Sequence, residues 1–204
     1  MAVLLSAFAE YFAPEGPAWN YERQSLVRLR PIFGDDALAK KIVALRDQFL
    51  YESAAFDAAA MRAIREKQVR QLVAGGTVNA KFSPGALVEL EYLVQGLQIL
   101  HGKNHPELRQ TNTRKALAAL ENCGIISKKD HAGLMDAHLF LRRLIEAQRM
   151  VRGNAKDLTI PPEDSDEFNF LAKRLNYGDD IDRLHEDMLT HTAFIQKISK
   201  KLLR

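Results

Sequence analysis

Residues 181–202 carry apolar side chains at Ile181, Leu184, Met188, Ile195, Ile198 and Leu202, in steps of three, four, seven, three and four. Such steps return every side chain to one face of a long helix, and that face must be buried against other helices. His191 falls in the gap of the stripe and reads as a core or boundary histidine. The same period recurs upstream: Leu38, Ile42, Leu45 and Phe49 form one stripe, Leu87, Leu90, Val94 and Leu97 another, and Leu134, Ala137, Leu141 and Leu144 a third. Met61, Ile64 and Leu72 mark a further helix, with Arg65, Glu66, Lys67 and Arg70 read on its wet side.

Breakers and caps separate these stripes. Gly75-Gly76, Ser83-Pro84-Gly85 and Pro161-Pro162 interrupt the pattern. Asp35-Asp36 and Asp179-Asp180 each precede an apolar run, where acids favour the helix dipole. Ser127, Asn112 or Thr113, and Ser165 stand where a side-chain oxygen accepts an orphan amide, worth about 1 kcal/mol. The pattern predicts helices near residues 20–30, 36–50, 57–73, 84–101, 112–123, 128–151, 166–176 and 180–203. No credible strand remains, since apolar pieces such as 158–160 are too brief for a sheet. No solenoid repeat or low-complexity tract interrupts the chain. The expected fold is therefore all-α, a helical bundle with a long C-terminal helix, divided into a helical lead-in at 1–30 and a bundle at 31–204.

Charge argues against a nucleic-acid partner. The chain has 29 basic and 26 acidic residues, a net +3, so its pI near 9.0 reflects a small surplus. Arg142, Arg143, Arg149 and Arg152 form a row, but Arg142 pairs with Glu146 at helical spacing and no aromatics interleave. Cys123 is the single cysteine, so no internal disulfide exists, and it reads as a small buried hydrophobe in a reducing compartment. The amino-terminal stretch lacks a basic segment and contains Glu10 and Glu15, unlike a signal peptide. No run approaches the roughly 20 apolar residues of a membrane helix, so the expected location is the cytoplasm. His101 and His105 are four apart, but Gly102 and Pro106 break the helix between and after them, so no metal site is expected there.

The chemistry-bearing stretch is residues 79–117, with Lys81, Gly85, Glu89, Leu90, Glu91, Tyr92, Gln95, Pro106, Leu108, Arg109, Asn112, Thr113, Ala116 and Leu117 in close order. It resembles the segment Asp-x-Lys-x-x-x-Gly-Gly followed by an acidic helix and Pro-x-Leu-Arg-x-x-Asn-Thr in bacterial glutamine synthetase adenylyltransferases/deadenylases. A looser version occurs in the uridylyltransferases that modify the PII signal protein. Trp19, Glu22, Arg23, Leu26, Arg30, Gly34 and Asp35 match an upstream family element, and residues 138–153 with 171–179 resemble a downstream one. Asn79 stands where the family usually has Asp, and Ala86 replaces its second glycine.

The resemblance implies the helical domain that follows a nucleotidyltransferase fold, closing over the nucleotide site and docking the protein partner. It implies ATP and Mg for the whole enzyme, with the upstream catalytic domain, glutamine synthetase and the PII protein as partners. Lys81, Gly85 and Glu89 are then candidates for the nucleotide-proximal or domain-facing surface, and Arg109 and Asn112 for partner binding. Taken alone, Lys81 before a glycine turn and a helix start offers an anion its amides, or is simply solvated. Glu89 and Glu91 lie about 200° apart on a helix and cannot both face one ligand.

The family's catalytic Gly-Ser-x-x-Asp-x-Asp is absent, and two-metal phosphoryl chemistry needs such paired carboxylates. No catalytic residue is therefore assigned, and the chain is expected to be inactive alone. The competing reading is a stand-alone helical interaction or ligand-binding protein that has lost its catalytic partner.

Overall fold

The computed structural model describes residues 3–52, 57–153 and 157–203. Its helices are α1 (Leu5–Phe12), α2 (Asn20–Ser25), α3 (Asp36–Asp47), α4 (Ala58–Leu72), α5 (Leu87–His101), α6 (Thr113–Asn122), α7 (Lys128–Arg152), α8 (Asp166–Arg174) and α9 (Ile181–Leu202). Short helical turns follow α2 at Leu26–Arg28, extend α3 at Gln48–Glu52 and precede α6 at Pro106–Leu108. Among the described residues the only β pairing is an isolated antiparallel bridge between Asn79 and Thr159. The fold is all-α with a long C-terminal helix, as the periodicity predicts, and no described helix is long and apolar enough to cross a membrane.

The described chain forms two compact units. One comprises residues through Ile64 together with Leu93–Ser127 and Leu203, and the other Arg65–Tyr92 with Lys128–Leu202. Helices α4 and α5 each contribute residues to both.

In the first unit, Leu26, Val27, Phe49, Leu50 and Tyr51 form a buried cluster, against which Phe8, Phe12, Leu45 and Ile99 pack. The sequence holds this corner by polar clamps. Glu22 accepts the Trp19 backbone amide and the Tyr11 hydroxyl, both at 2.9 Å. Arg23 collects the loop carbonyls of Ala13, Pro14 and Gly16 through Nη2 and that of Ala18 through Nε. One arginine thus satisfies acceptors that would otherwise face a half-buried loop alone. Gln24 and Gln95, both buried, pair at 2.8 Å. Asp35 caps α3 through the Leu38 amide, and Asn112 caps α6 through those of Arg114 and Lys115.

In the second unit, α7, α8 and α9 pack on one another. Leu134, Ala137, Leu141 and Leu144 of α7 are each at most 1% exposed, and Leu184, Ile195 and Ile198 of α9 at most 2%. Ser165 caps α8 through the Phe168 amide, and the Asp180 carboxylate accepts the Arg183 amide at the start of α9. His191 is a boundary residue, its ring 4.6 Å from that of Phe140. Burial lowers its pKa, and Asp187 and Asp136 partly offset this. The chain enters α5 through Gly85, whose φ is +76° and whose added Cβ would lie 2.2 Å from the Thr192 carbonyl oxygen of α9.

Three details depart from the sequence reading. Leu38 and Leu72 are 44% and 49% exposed, so the α3 and α4 stripes are shorter than drawn. Arg65, read as solvated, is only 8% exposed. Its Nη2 donates to the carbonyls of Phe82 and Ser83 at 2.6 and 2.9 Å, so burial is offset by two charge-assisted bonds.

Two expectations follow from this packing. Gly85→Ala should cost at least about 2 kcal/mol, since left-handed strain and a backbone clash add. Gly76→Ala, at φ +74° with open space around it, should cost only the strain, about 1–2 kcal/mol. Urea denaturation of the two variants measures the difference. For His191, a pKa depressed in the fold means stability that is complete above the ordinary value of 6.5 and falls as pH drops through it. Thermal melts across that range should show the fall, and His191→Phe, which keeps the ring contact, should make it shallower.

Candidate functional site

The stretch from Asn79 to Glu89 is a built turn. Asn79, 7% exposed, uses its side-chain oxygen to accept the amides of Lys81 and Phe82, each at 3.0 Å. Its own amide donates to Ser83 Oγ at 2.7 Å, and the Ser83 amide returns to the Asn79 carbonyl at 3.1 Å. This is an Asx turn, which needs a side-chain oxygen and no charge. Asn79 therefore keeps the geometry that an aspartate would give. The Asn79–Thr159 bridge ties the turn to residues 158–160, through Ala80 N–H to Leu158 O and Ile160 N–H to Val78 O.

Arg65 lies beneath this turn and is the functional-region residue that the sequence reading missed. The signal was present: Met61, Ile64, Arg65 and Gln68 follow the i, i+3, i+4, i+7 template of one helix face. Burial pulls the Arg65 pKa below its ordinary value, with Glu89 and then Tyr92 opposing. Its Nε and Nη1 have no hydrogen-bond partner among the described residues. Tyr92, a motif residue, accepts Gln68 Nε2 through its hydroxyl at 2.9 Å.

Glu89 turns inward. Its Oε2 accepts the Gly85 amide at 2.7 Å, so the protein's own carboxylate occupies an amide that the α5 start would otherwise offer an external anion. Gly85 is buried, and Lys81 is half-exposed with Nζ 4.9 Å from the centre of the Phe82 ring. Lys81, Gly85 and Glu89 are thus brought together on one turn, where Glu89 sets the helix start, Gly85 permits the close approach to α9, and Lys81 carries the accessible charge.

A cleft of about 670 Å³ adjoins the same turn. Thr77, Ser83, Ile160, Phe168, Met188 and Thr192 line it, and the ion-paired His185 and Glu163 stand among its walls. Its mix of apolar walls with a few hydroxyls and one ion pair suits a small molecule better than a bulk-water channel.

Arg109 and Asn112 belong to the other unit. Arg109 donates through Nε to the Gly102 carbonyl at 3.0 Å, pairs through Nη1 with Asp47 at 3.3 Å and covers the Tyr51 ring at 4.9 Å. Burial pushes the Tyr51 hydroxyl up to about 12, with Asp47 adding to the rise and Arg46 and Arg109 opposing it. The Asn112 side-chain oxygen is engaged as the α6 cap. Both side chains are thus committed to their own unit.

The chain matches the family described as GlnD PII-uridylyltransferase over residues 58–203. It is also similar to curated proteins named bifunctional glutamine synthetase adenylyltransferase/adenylyl-removing enzyme. The one from Streptomyces avermitilis is 33% identical over 180 residues, 85% of this chain and 18% of that protein. The one from Cutibacterium acnes is 30% identical over 194 residues, 92% of this chain and 19% of that protein. The one from Mycobacterium bovis is 27% identical over 208 residues, 97% of this chain and 20% of that protein. The chain spans about a fifth of the length of these relatives. The family match begins near the start of α4 and takes in the Asn79–Glu89 turn, α7, α8 and α9, and on that extent the chain belongs to the GlnD PII-uridylyltransferase family.

Proposed function

We propose that this chain is the helical domain that follows a nucleotidyltransferase fold in a glutamine synthetase adenylyltransferase-like enzyme, closing over the nucleotide site and docking the modified protein. The observation that carries the reading is the Lys81–Glu89 turn. It lies within the family match, its backbone is held by Asn79, Ser83, Arg65 and Glu89, and it leaves a lysine as its accessible charge. A preorganised cation of this kind suits phosphate oxygens, because no ordering cost remains when charge develops there. Lys81 is then the nucleotide-facing group, while Gly85 and Glu89 position it.

Magnesium is not held by this turn. Mg²⁺ needs an octahedral set of oxygens, usually including carboxylates. The turn brings in one carboxylate, Glu89, and that one is bonded to Gly85. In this reading ATP and the metal are held chiefly by the catalytic fold, as are the acids of the reaction. Arg109 and Asn112 order the segment before and at the start of α6, on which glutamine synthetase or the PII protein docks. The same reading sets the protein in the cytoplasm.

One observation favours the stand-alone alternative, the cleft beside Ser83 and Thr192, whose volume lies in the range of small-molecule sites. Titrating the chain with ATP, ADP, UTP and glutamine, alone and joined to its upstream catalytic fold, separates the two readings.

The chain alone should transfer no labelled nucleotide to glutamine synthetase or PII in the presence of Mg²⁺. Joined to the catalytic fold, Lys81→Ala should lower kcat/KM by about tenfold, the equivalent of about 1.4 kcal/mol for one lost charge contact. Its cost to stability should stay below about 1 kcal/mol, because only the exposed contact with Phe82 is lost. A large drop in melting temperature with activity per folded molecule intact would refute the assignment.

A further inference from the structure

The side chains of His105, Glu107 and Cys123 converge in the first unit. Their ligand atoms all lie within 4.8 Å of one another, the only group of three or more His, Cys, Asp or Glu side chains so placed among the described residues. His105 Nδ1 is 3.5 Å and Cys123 Sγ 3.3 Å from the same Glu107 oxygen. In tetrahedral zinc, bonds of about 2.0–2.3 Å put adjacent ligand atoms about 3.3–3.6 Å apart. Two edges of the triangle therefore already have the coordination length.

The backbone holds these residues in place. His105 receives a fixed start because its amide donates to the His101 carbonyl, and the Leu108 amide returns to the His105 carbonyl. Leu108, fully buried, pins the Pro106–Leu108 turn, and Gln98 Nε2 donates to its carbonyl. Cys123 terminates α6, its amide donating to Ala119, while the following Ile126 is buried. Two separate chain segments, each with a core anchor, thus present the three donors to one point.

From this convergence we propose that His105, Glu107 and Cys123 form a site for a zinc-class divalent cation, with water as the fourth ligand. An imidazole, a carboxylate and a thiolate are donors that zinc accepts together, whereas magnesium and calcium call for oxygen sets. On binding, the Cys123 S–H bond breaks as the S–metal bond forms, and the proton leaves to solvent by way of the Glu107 carboxylate that accepts it in the hydrogen bond. His105 binds through neutral Nδ1. Burial and Glu107 raise the Cys123 thiol above its ordinary value, so the thiol carries its proton at neutral pH and ion uptake releases it. No residue of the Lys81–Glu89 turn takes part, so the site stands or falls apart from the proposed function.

The test is Co²⁺ titration of the whole chain under reducing conditions, followed by Zn²⁺ competition. The expected result is one equivalent of Co²⁺ with a thiolate-to-metal charge-transfer absorption, displaced by Zn²⁺ with proton release. Cys123→Ser should abolish that absorption, and His105→Ala and Glu107→Gln should each weaken binding by more than about tenfold, since even outer-shell partners of a metal shift affinity by about 10–100-fold. All three side chains are partly or fully exposed, so the variants should retain the wild-type helical circular dichroism. A wild-type chain that shows no charge-transfer band, or a band that survives Cys123→Ser, overturns the proposal, as does affinity unchanged in the His105 and Glu107 variants.

Discussion

The guanidinium of Arg65 under the Phe82–Ser83 carbonyls is the contact on which the candidate site depends. A turn that is largely buried cannot leave its acceptors to water, and an unpaired buried carbonyl costs about 1–3 kcal/mol. Arg65 answers two of them, and the amides of the same turn are answered by Asn79 and Glu89. The turn is then free to approach α9 so closely that only glycine fits at position 85. A charged residue in a helix interior face is costly, but here its cost is offset locally, and the outcome is a rigid loop.

The same economy of charge runs through the first unit. Arg23 gathers four loop carbonyls, Arg46 donates to the Leu29 carbonyl while pairing with Asp47, and Arg109 joins Asp47, Gly102 and the Tyr51 ring. Arginine suits this work because its planar fork makes several bonds from one position. Glu22, Arg23, Gln95 and Arg109 all lie in the stretches that resemble the family, yet each is bonded within its unit. Much of what a motif preserves here is architecture. The chemistry left over for an external ligand is concentrated in fewer groups, of which Lys81 has the clearest access.

This division bears on how the chain could act. Glu89 supplies negative charge at the α5 start from within, so an incoming anion meets Lys81 and the turn, not a row of free amides. The adjoining cleft has hydroxyls and an ion pair set among apolar walls, the composition by which a pocket orients a ligand while excluding water. Both features sit on the packed α7–α9 framework, whose buried leucines and isoleucines give the loop a stiff base.

Helix type and helix faces were readable from the chain alone, because 3.6-residue periodicity and capping are local: Leu134, Ala137, Leu141, Leu144 and the α9 stripe are buried as spaced, and Asp35, Asn112 and Ser165 cap as their positions suggest. The family was legible too, in the order of residues from Lys81 to Leu117. What the chain alone did not disclose depends on groups distant in sequence. Arg65 looked solvated because charge was weighed over period, and its partners lie 17 and 18 residues away. The inward bond of Glu89 needed the geometry of the turn, and the approach of Gly85 to Thr192 joins residues far apart along the chain. His105, Glu107 and Cys123 show no metal motif in linear spacing, since folding of the α6 end onto the 105–108 turn is what brings them together. Local propensity determined the helices, and tertiary packing decided which polar groups are spent inside the protein and which remain for chemistry, because burial leaves a polar group stable only where a partner from elsewhere in the chain can reach it.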